Sequence, residues 1–268
     1  MSRYENMFNA LSAKKEGAFV PFTVIGYPTV EASTAIIQAL IDGGADALEL
    51  GIPFSDPVAD GPVIQAAGVT AIEAGATPKA CFGVIDAVRK QNPEIPIGLL
   101  VYANLVVSNG IETFFDNCRN AGVDSVLIAD LPVYEAAPFA AAAAARDVCP
   151  VFIAPPNASD DKLKEIASLT QGYTYVVTRS GVTGTDTTVQ VENTAVFQKL
   201  KDSGAPPAML GFGISTPDHV RTALSSGADG AISGSAVVAK ITAGAADITA
   251  LCADLKKFVS NMKAAARH

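Results

Sequence analysis

Short apolar runs recur along the chain at 18–25, 45–50, 97–101, 125–129, 151–153, 174–178, 208–211 and 230–233, and each reads as a β-strand. Helix-length stretches lie between and after them, at 31–41, 78–90, 111–120, 135–146, 160–169, 194–201, 217–225 and 247–266. The run Ile97-Gly98-Leu99-Leu100-Val101 carries no polar side chain, as a strand covered on both faces of a sheet requires. Strand and helix alternating this often predict parallel strands joined by helical crossovers. Eight such units with no dividing linker predict a single (β/α)8 barrel over residues 1–268, a doubly wound sheet being the other architecture that shares the pattern. A further helix at 4–11 is expected to cap the barrel floor.

A weak internal repeat supports this reading. Gly44-Ala45-Asp46, Gly122-Val123-Asp124 and Gly227-Ala228-Asp229 each follow a helical stretch and precede a strand. Glycine just past a helix end takes up the left-handed conformation that terminates it. These are expected to be structural turns on the bottom face of the barrel, away from the chemistry.

Composition narrows the function classes. The 268 residues are 49% hydrophobic and only 17% charged, with a net charge of -8. That is ample core material, and the acidic balance lacks the basic footprint of a nucleic-acid binder. No apolar run approaches the ~20 residues of a membrane span, and the first twenty residues mix charges with apolar positions, so a cytoplasmic protein is expected. Four well-separated cysteines with no CxxC pair fit reduced thiols better than a zinc site or a disulfide framework.

In a barrel of this type the active site lies at the carboxyl ends of the strands. The polar residues there concentrate after the second strand, where Ala47-Leu48-Glu49-Leu50-Gly51 buries a carboxylate in an apolar run and the loop to Pro62 adds Asp56 and Asp60. A carboxylate in such surroundings is costly unless paired or protonated, so Glu49 is either catalytic or an outward-facing or hydrogen-bonded structural group. Asp56 and Asp60, beside Pro57 and Gly61, also fit ordinary turn chemistry. Glycines cluster at three other strand ends, in Arg179-Ser180-Gly181-Val182-Thr183-Gly184, Gly211-Phe212-Gly213-Ile214-Ser215 and Gly234-Ser235. They read as tight turns or as a phosphate site built from main-chain N–H groups and a helix N-terminus.

Two histidines, His219 at the start of a predicted helix and His268 at the terminus, disfavour a histidine base or a His-ligated metal. With no lysine in a predicted strand, an imine mechanism is disfavoured too. Carboxylate acid-base chemistry remains, aided by Tyr175 unless that residue is simply a core aromatic.

The stretch Leu48 to Gln65, with Gly51-Ile52-Pro53-Phe54-Ser55-Asp56-Pro57-Val58-Ala59-Asp60-Gly61-Pro62 at its centre, closely resembles the signature of the tryptophan synthase alpha subunit family. Supporting stretches run in the same order along nearly the whole chain: Phe19-Val20-Pro21-Phe22, Tyr102-Ala103-Asn104, Ala129-Asp130-Leu131-Pro132, Ala154-Pro155-Pro156-Asn157, the three glycine motifs above, and Ser233-Gly234-Ser235. The segment 186–193 is the least familiar part.

The resemblance implies a (β/α)8 barrel that cleaves indole-3-glycerol phosphate to indole and glyceraldehyde 3-phosphate. It implies Glu49 as the acid-base group, Asp60 as the carboxylate that stabilises a cationic indole, and Tyr175 as the neighbour that orients the substrate or Asp60. Phe22, Leu100, Leu127, Ala129, Ile153, Thr183, Phe212 and Ile232 would line the indole pocket. Gly184, Gly213, Gly234 and Ser235 would hold the phosphate. No metal or cofactor is implied in this chain, pyridoxal phosphate belonging to a beta subunit in an alpha-beta-beta-alpha assembly. Loops 53–62 and 179–193 would be both catalytic and interfacial, with Asp56 at the interface or capping its own loop. The glycine motifs alone also suit another phosphosugar barrel, an isomerase or epimerase, and a subunit that only activates its partner is the non-enzymatic alternative.

Overall fold

The computed structural model describes residues 1–177 and 194–267. Nine parallel strands form one sheet: β1 (Ala18–Val24), β2 (Leu48–Gly51), β3 (Ile97–Val101), β4 (Ser125–Ile128), β5 (Cys149–Val151), β6 (Ile153–Ala154), β7 (Thr174–Val177), β8 (Ala208–Gly211) and β9 (Gly230–Ser233). Their order is β5-β4-β3-β2-β1-β9-β8-β7-β6. The two ends of that order, β5 and β6, are separated along the chain only by Phe152. They are therefore two halves of one barrel strand, the first pairing with β4 through Leu127↔Val151 and the second with β7 through Ile153↔Tyr175. The Phe152 carbonyl accepts the Tyr175 N–H at 3.1 Å. The sheet is thus an eight-stranded ring, which settles the choice between barrel and open sheet.

The 151–153 run predicted as the fifth strand begins two residues earlier, at Cys149. Pro150, an unpromising strand residue in sequence, is accommodated in register with Val126 of β4, and its carbonyl accepts the Gln171 N–H.

Helices wrap the ring: α1 (Arg3–Lys14), α2 (Val30–Asp42), α3 (Pro62–Glu73), α4 (Pro78–Gln91), α5 (Ala103–Val107), α6 (Ile111–Ala121), α7 (Ala137–Ala144), α8 (Asp160–Leu169), α9 (Thr194–Asp202), α10 (Pro217–Ser225), α11 (Ser235–Gly244) and α12 (Ile248–Ala264). The sequence reading lacks α3, α5 and α11, and the predicted 135–146 helix is shorter because Val133–Glu135 is a separate 3-10 turn. No helix of the described residues is long and apolar enough to cross a membrane.

Helix α1 plugs the floor. Ser2 and Glu5 close a reciprocal capping box at its start. Tyr4, buried, sends its hydroxyl to within 2.9 Å of Ser125 Oγ on β4 and packs its ring 5.4 Å from that of Tyr173. Gly98 on β3 leaves the necessary space, since a Cβ there would come within 3.0 Å of the Tyr4 hydroxyl and 2.7 Å of Ser125 Oγ.

The repeated aspartates close the same end. Asp46, Asp124 and Asp229 each accept the N–H of the residue opposite on the preceding strand, Phe19, Ile97 and Ala208 respectively, all at 2.8 Å. Each returns its own N–H to the carbonyl of that residue. These reciprocal pairs tie neighbouring strands together at the bottom face. They are structural, as expected from the sequence.

Candidate active site

The top of the barrel opens into a cavity of about 500 Å³, part of it open to solvent, lined by apolar side chains and by Glu49, Asp60 and Tyr175. A second, contiguous space of about 310 Å³ shares Phe22, Asp60, Ile64 and Leu100 and extends towards Phe54 and Tyr102. Such volumes suit a small aromatic ligand.

Glu49 projects from β2, where it pairs in register with Phe22 of β1 and Gly98 of β3, and it is almost wholly buried. Its Oε1 accepts a hydrogen bond from the Tyr173 hydroxyl at 2.8 Å. Burial raises its pKa to about 7, with Tyr173 pulling it down and the charge of Asp60 pushing it up. At neutral pH Glu49 is therefore divided between acid and base forms, the condition a proton shuttle needs.

Asp60 closes the loop that leads from β2 into α3. It is buried, and Oδ2 accepts the Tyr102 hydroxyl at 2.9 Å. Burial raises its pKa to about 6, and the Tyr102 hydrogen bond opposes the rise. Asp60 is mostly ionised at neutral pH, so the cavity offers one carboxylate beside one carboxyl poised to give a proton. Tyr102 also accepts the Ala59 N–H at 3.1 Å and stacks on Phe54 at 5.3 Å. One side chain from the end of β3 thereby fastens the loop at three points.

Tyr175 lines the cavity with its ring edge-on to Phe212 at 6.3 Å, and a Cβ on Gly211 would collide with its hydroxyl. The phenol that orients Asp60 is Tyr102, and the one that holds Glu49 is Tyr173. The sequence reading assigned a role to neither. Parity along the strand carried a signal for Tyr173, which shares the inward face with Tyr175.

The remaining expected positions divide. Phe22, Leu100, Phe212, Gly213, Ile232, Gly234 and Ser235 all line the main cavity, joined by Ile64, Ile214, Ser215 and Ala236. Ala129 and Ile153 line a separate space beside Pro132 and Lys162. Leu127 is fully buried and lies in neither, because adjacent tilted strands contribute to different side-chain layers of a barrel. Thr183 and Gly184 fall outside the described residues. Asp56 is exposed on the 53–62 loop, hydrogen-bonded by Ser55 Oγ.

Opposite the carboxyls, α11 begins at the cavity wall. Its cap residue Gly234 offers no side-chain cap, and Gly234, Ser235 and Ala236 all face the cavity. A helix N-terminus with main-chain N–H groups turned to a pocket is an anion site. Among the described residues no group of three or more His, Cys, Asp or Glu is arranged to hold a metal ion.

The family model described as "Tryptophan synthase alpha chain" matches residues 8–267. This chain belongs to that family. It is 56% identical over 265 residues to the tryptophan synthase alpha chain of Shewanella amazonensis, covering 99% of this chain and 100% of the relative. It is 53% identical over 267 residues to that of Salmonella paratyphi B, covering 100% of both. Among solved structures, tryptophan synthase of Mycobacterium tuberculosis superposes with a TM-score of 0.90 at 26% identity, covering 100% of this chain and 99% of that one. The family match spans the barrel and every described site residue.

Proposed function

We propose that this chain cleaves indole-3-glycerol phosphate to indole and glyceraldehyde 3-phosphate, as the alpha partner of a pyridoxal-phosphate beta subunit in tryptophan biosynthesis. The observation that carries the reading is the pairing, in one largely apolar cavity, of a carboxyl at about pKa 7 with a carboxylate at about 6, facing the open N-terminus of α11.

In this reading Glu49 donates its proton to the indole carbon that bears the glycerol chain. The ring becomes a cation with charge on its nitrogen, and ionised Asp60 stabilises it. Glu49, now a carboxylate, takes the proton from the hydroxyl on the adjacent side-chain carbon. The carbonyl forms there, the C–C bond breaks, and its electron pair returns to the ring, so the carboxyl ends as it began. Tyr173 steadies Glu49 through the exchange, and Phe22, Leu100, Tyr175, Phe212 and Ile232 enclose the ring. The N–H groups of Gly213, Gly234 and Ser235, with the Ser235 hydroxyl, hold the phosphate; the family resemblance adds Gly184 to that set and Thr183 to the indole pocket. The chain needs no cofactor of its own in this scheme, and its place is a cytoplasmic biosynthetic complex.

Loop 53–62 carries Asp60 on its inner side and exposes Asp56 and Val58 on its outer side, Val58 at 70%. A partner that covers the outer side would fix the inner one. The test is indole release from indole-3-glycerol phosphate by the purified chain, alone and with a beta subunit added. Slow release that rises steeply with the partner is expected; no indole in either condition would overturn the assignment.

A further inference from the structure

The Phe212–Ser215 loop runs from β8 into α10 and contributes four consecutive residues to the cavity wall. Its backbone is unusual: Phe212 has φ 67° and Gly213 φ 74°, two left-handed residues in succession, the first of them not a glycine. A non-glycine residue in that region is strained and persists only where the surroundings enforce it. Two side chains behind the loop supply the enforcement. The imidazole Nδ1 of His219 lies 2.8 Å from the Gly213 carbonyl, and the wholly buried Ser233 hydroxyl donates to the Ile214 carbonyl at 2.6 Å.

We propose that His219 is a positioning residue for the substrate's phosphate: its Nδ1–H holds the Gly213 carbonyl back from the cavity, so that the loop's N–H groups are presented to the anion. The proposal rests on the phosphate placement in the proposed function and deepens it. His219 sits in the first turn of α10, where its own N–H is given to the Thr216 cap. It is not among the residues that line the cavity, so it acts on the loop from behind. A planar trans peptide points its C=O and N–H in opposite directions. Drawing the Gly213 carbonyl to His219 therefore turns the Ile214 N–H away from the imidazole, and it removes a lone pair that would repel a phosphate. The short contact to a carbonyl also fixes the tautomer, because a carbonyl can only accept. Nδ1 must carry the proton, and the Ser215 N–H and hydroxyl, each 3.3 Å from the same nitrogen, cannot donate to it while it does.

The test compares His219→Ala and His219→Asn with the parent chain, using glycerol 3-phosphate and indole as separate binding probes. Asparagine places an amide N–H close to the position of Nδ1. In His219→Ala the Kd of glycerol 3-phosphate and the KM of indole-3-glycerol phosphate should rise about fivefold to tenfold, the loss of one hydrogen bond, with indole affinity and kcat within about twofold. His219→Asn should recover most of the loss. Equal weakening of both probes, or an asparagine variant no better than alanine at unchanged thermal midpoint, would overturn the role. The ¹⁵N spectrum provides a second readout, uncomplicated because the chain has only two histidines. A protonated Nδ1 on His219 is expected, and an Nε2–H tautomer would rule the clamp out. A parent chain that binds indole but not glycerol 3-phosphate would instead overturn the phosphate placement itself, a result distinct from any failure of the His219 variants.

Discussion

Glu49 and Asp60 owe their raised pKa values to the same cause, burial, each opposed by a phenol hydrogen bond, and they stay about one unit apart, much as an ordinary glutamate and aspartate do. The alpha reaction should therefore show a narrow bell in kcat against pH, rising as Asp60 ionises near 6 and falling as Glu49 loses its proton above about 7; a flat profile from about pH 5.5 to 8.5 would contradict the roles. Glu49→Gln should lower turnover by about 10²- to 10⁴-fold with substrate binding retained, measured as indole release and as Kd for an uncleaved analogue. Stability should move the other way. The folded pKa of Glu49 lies above its ordinary value of 4.5, so the folded chain holds the proton more tightly. Its contribution is fully present below about pH 4.5 and is lost as pH rises through about 7. Glu49→Gln removes that loss, so in denaturant titrations the variant should gain on the parent between pH 5 and 8. Glu49 was legible in the residues themselves because it interrupts an apolar strand, whereas Asp60, beside Gly61, fits ordinary turn chemistry and was singled out by the family resemblance. Tyr173 and Tyr102 were not legible, since each looks like a core aromatic until a strand 124 or 42 residues away brings its carboxylate alongside.

Most helices were read from the sequence where one face is polar, and α7 from its alanine run; α3 and α11 offer neither signal clearly. Helix α11, Ser-Ala-Val-Val-Ala-Lys-Ile-Thr-Ala-Gly, has one charge and buries Val237, Val238 and Ile241, so no amphipathic rhythm announced it. Helix α3 is similar, with Gly68 at its centre and Ile64, Ala67 and Ala71 buried, and its first residues belonged to the motif that drew attention to chemistry. The aspartate turns, by contrast, repeat a local pattern and were visible at once. Their weight can be measured. Asp124 accepts the Ile97 N–H and pairs with Arg89 at 2.7 Å and Arg3 at 2.8 Å, with only 11% of its side chain exposed. Removing it leaves Arg89 without that counter-charge and the end of β3 without its tie. Asp124→Ala should destabilise by about 3 kcal/mol in denaturant titration, and a cost under about 1 kcal/mol would show the turn to be ornamental.

Across the whole molecule, the 53–62 loop turns Asp60 inward and exposes Asp56 and Val58 on its outer side. Asp56→Ala, altered on the outer side, should leave the isolated chain's indole release unchanged and reduce stimulation by the beta subunit severalfold; equal stimulation would place Asp56 outside the interface. The strand-helix pattern alone left an open sheet beside the closed barrel that it and the resemblance favoured, because closure depends on one strand serving two neighbours through a break at Phe152, and no local pattern marks which strand will do so. The opposite end of the ring has a consequence for the chemistry. The Tyr4 ring packs at a tilt against that of Tyr173, whose hydroxyl donates to Glu49, and Tyr4 arrives on a helix that is not part of the barrel. That helix works as a stopper. A chain lacking its first fifteen residues would keep all the strands and both carboxyls, yet water would rise through the floor, hydrate Glu49 from beneath and return it towards an ordinary, stronger acid. In the proposed mechanism the strength of the acid is thus decided in part by the first turn of the chain, on the side of the barrel away from the substrate.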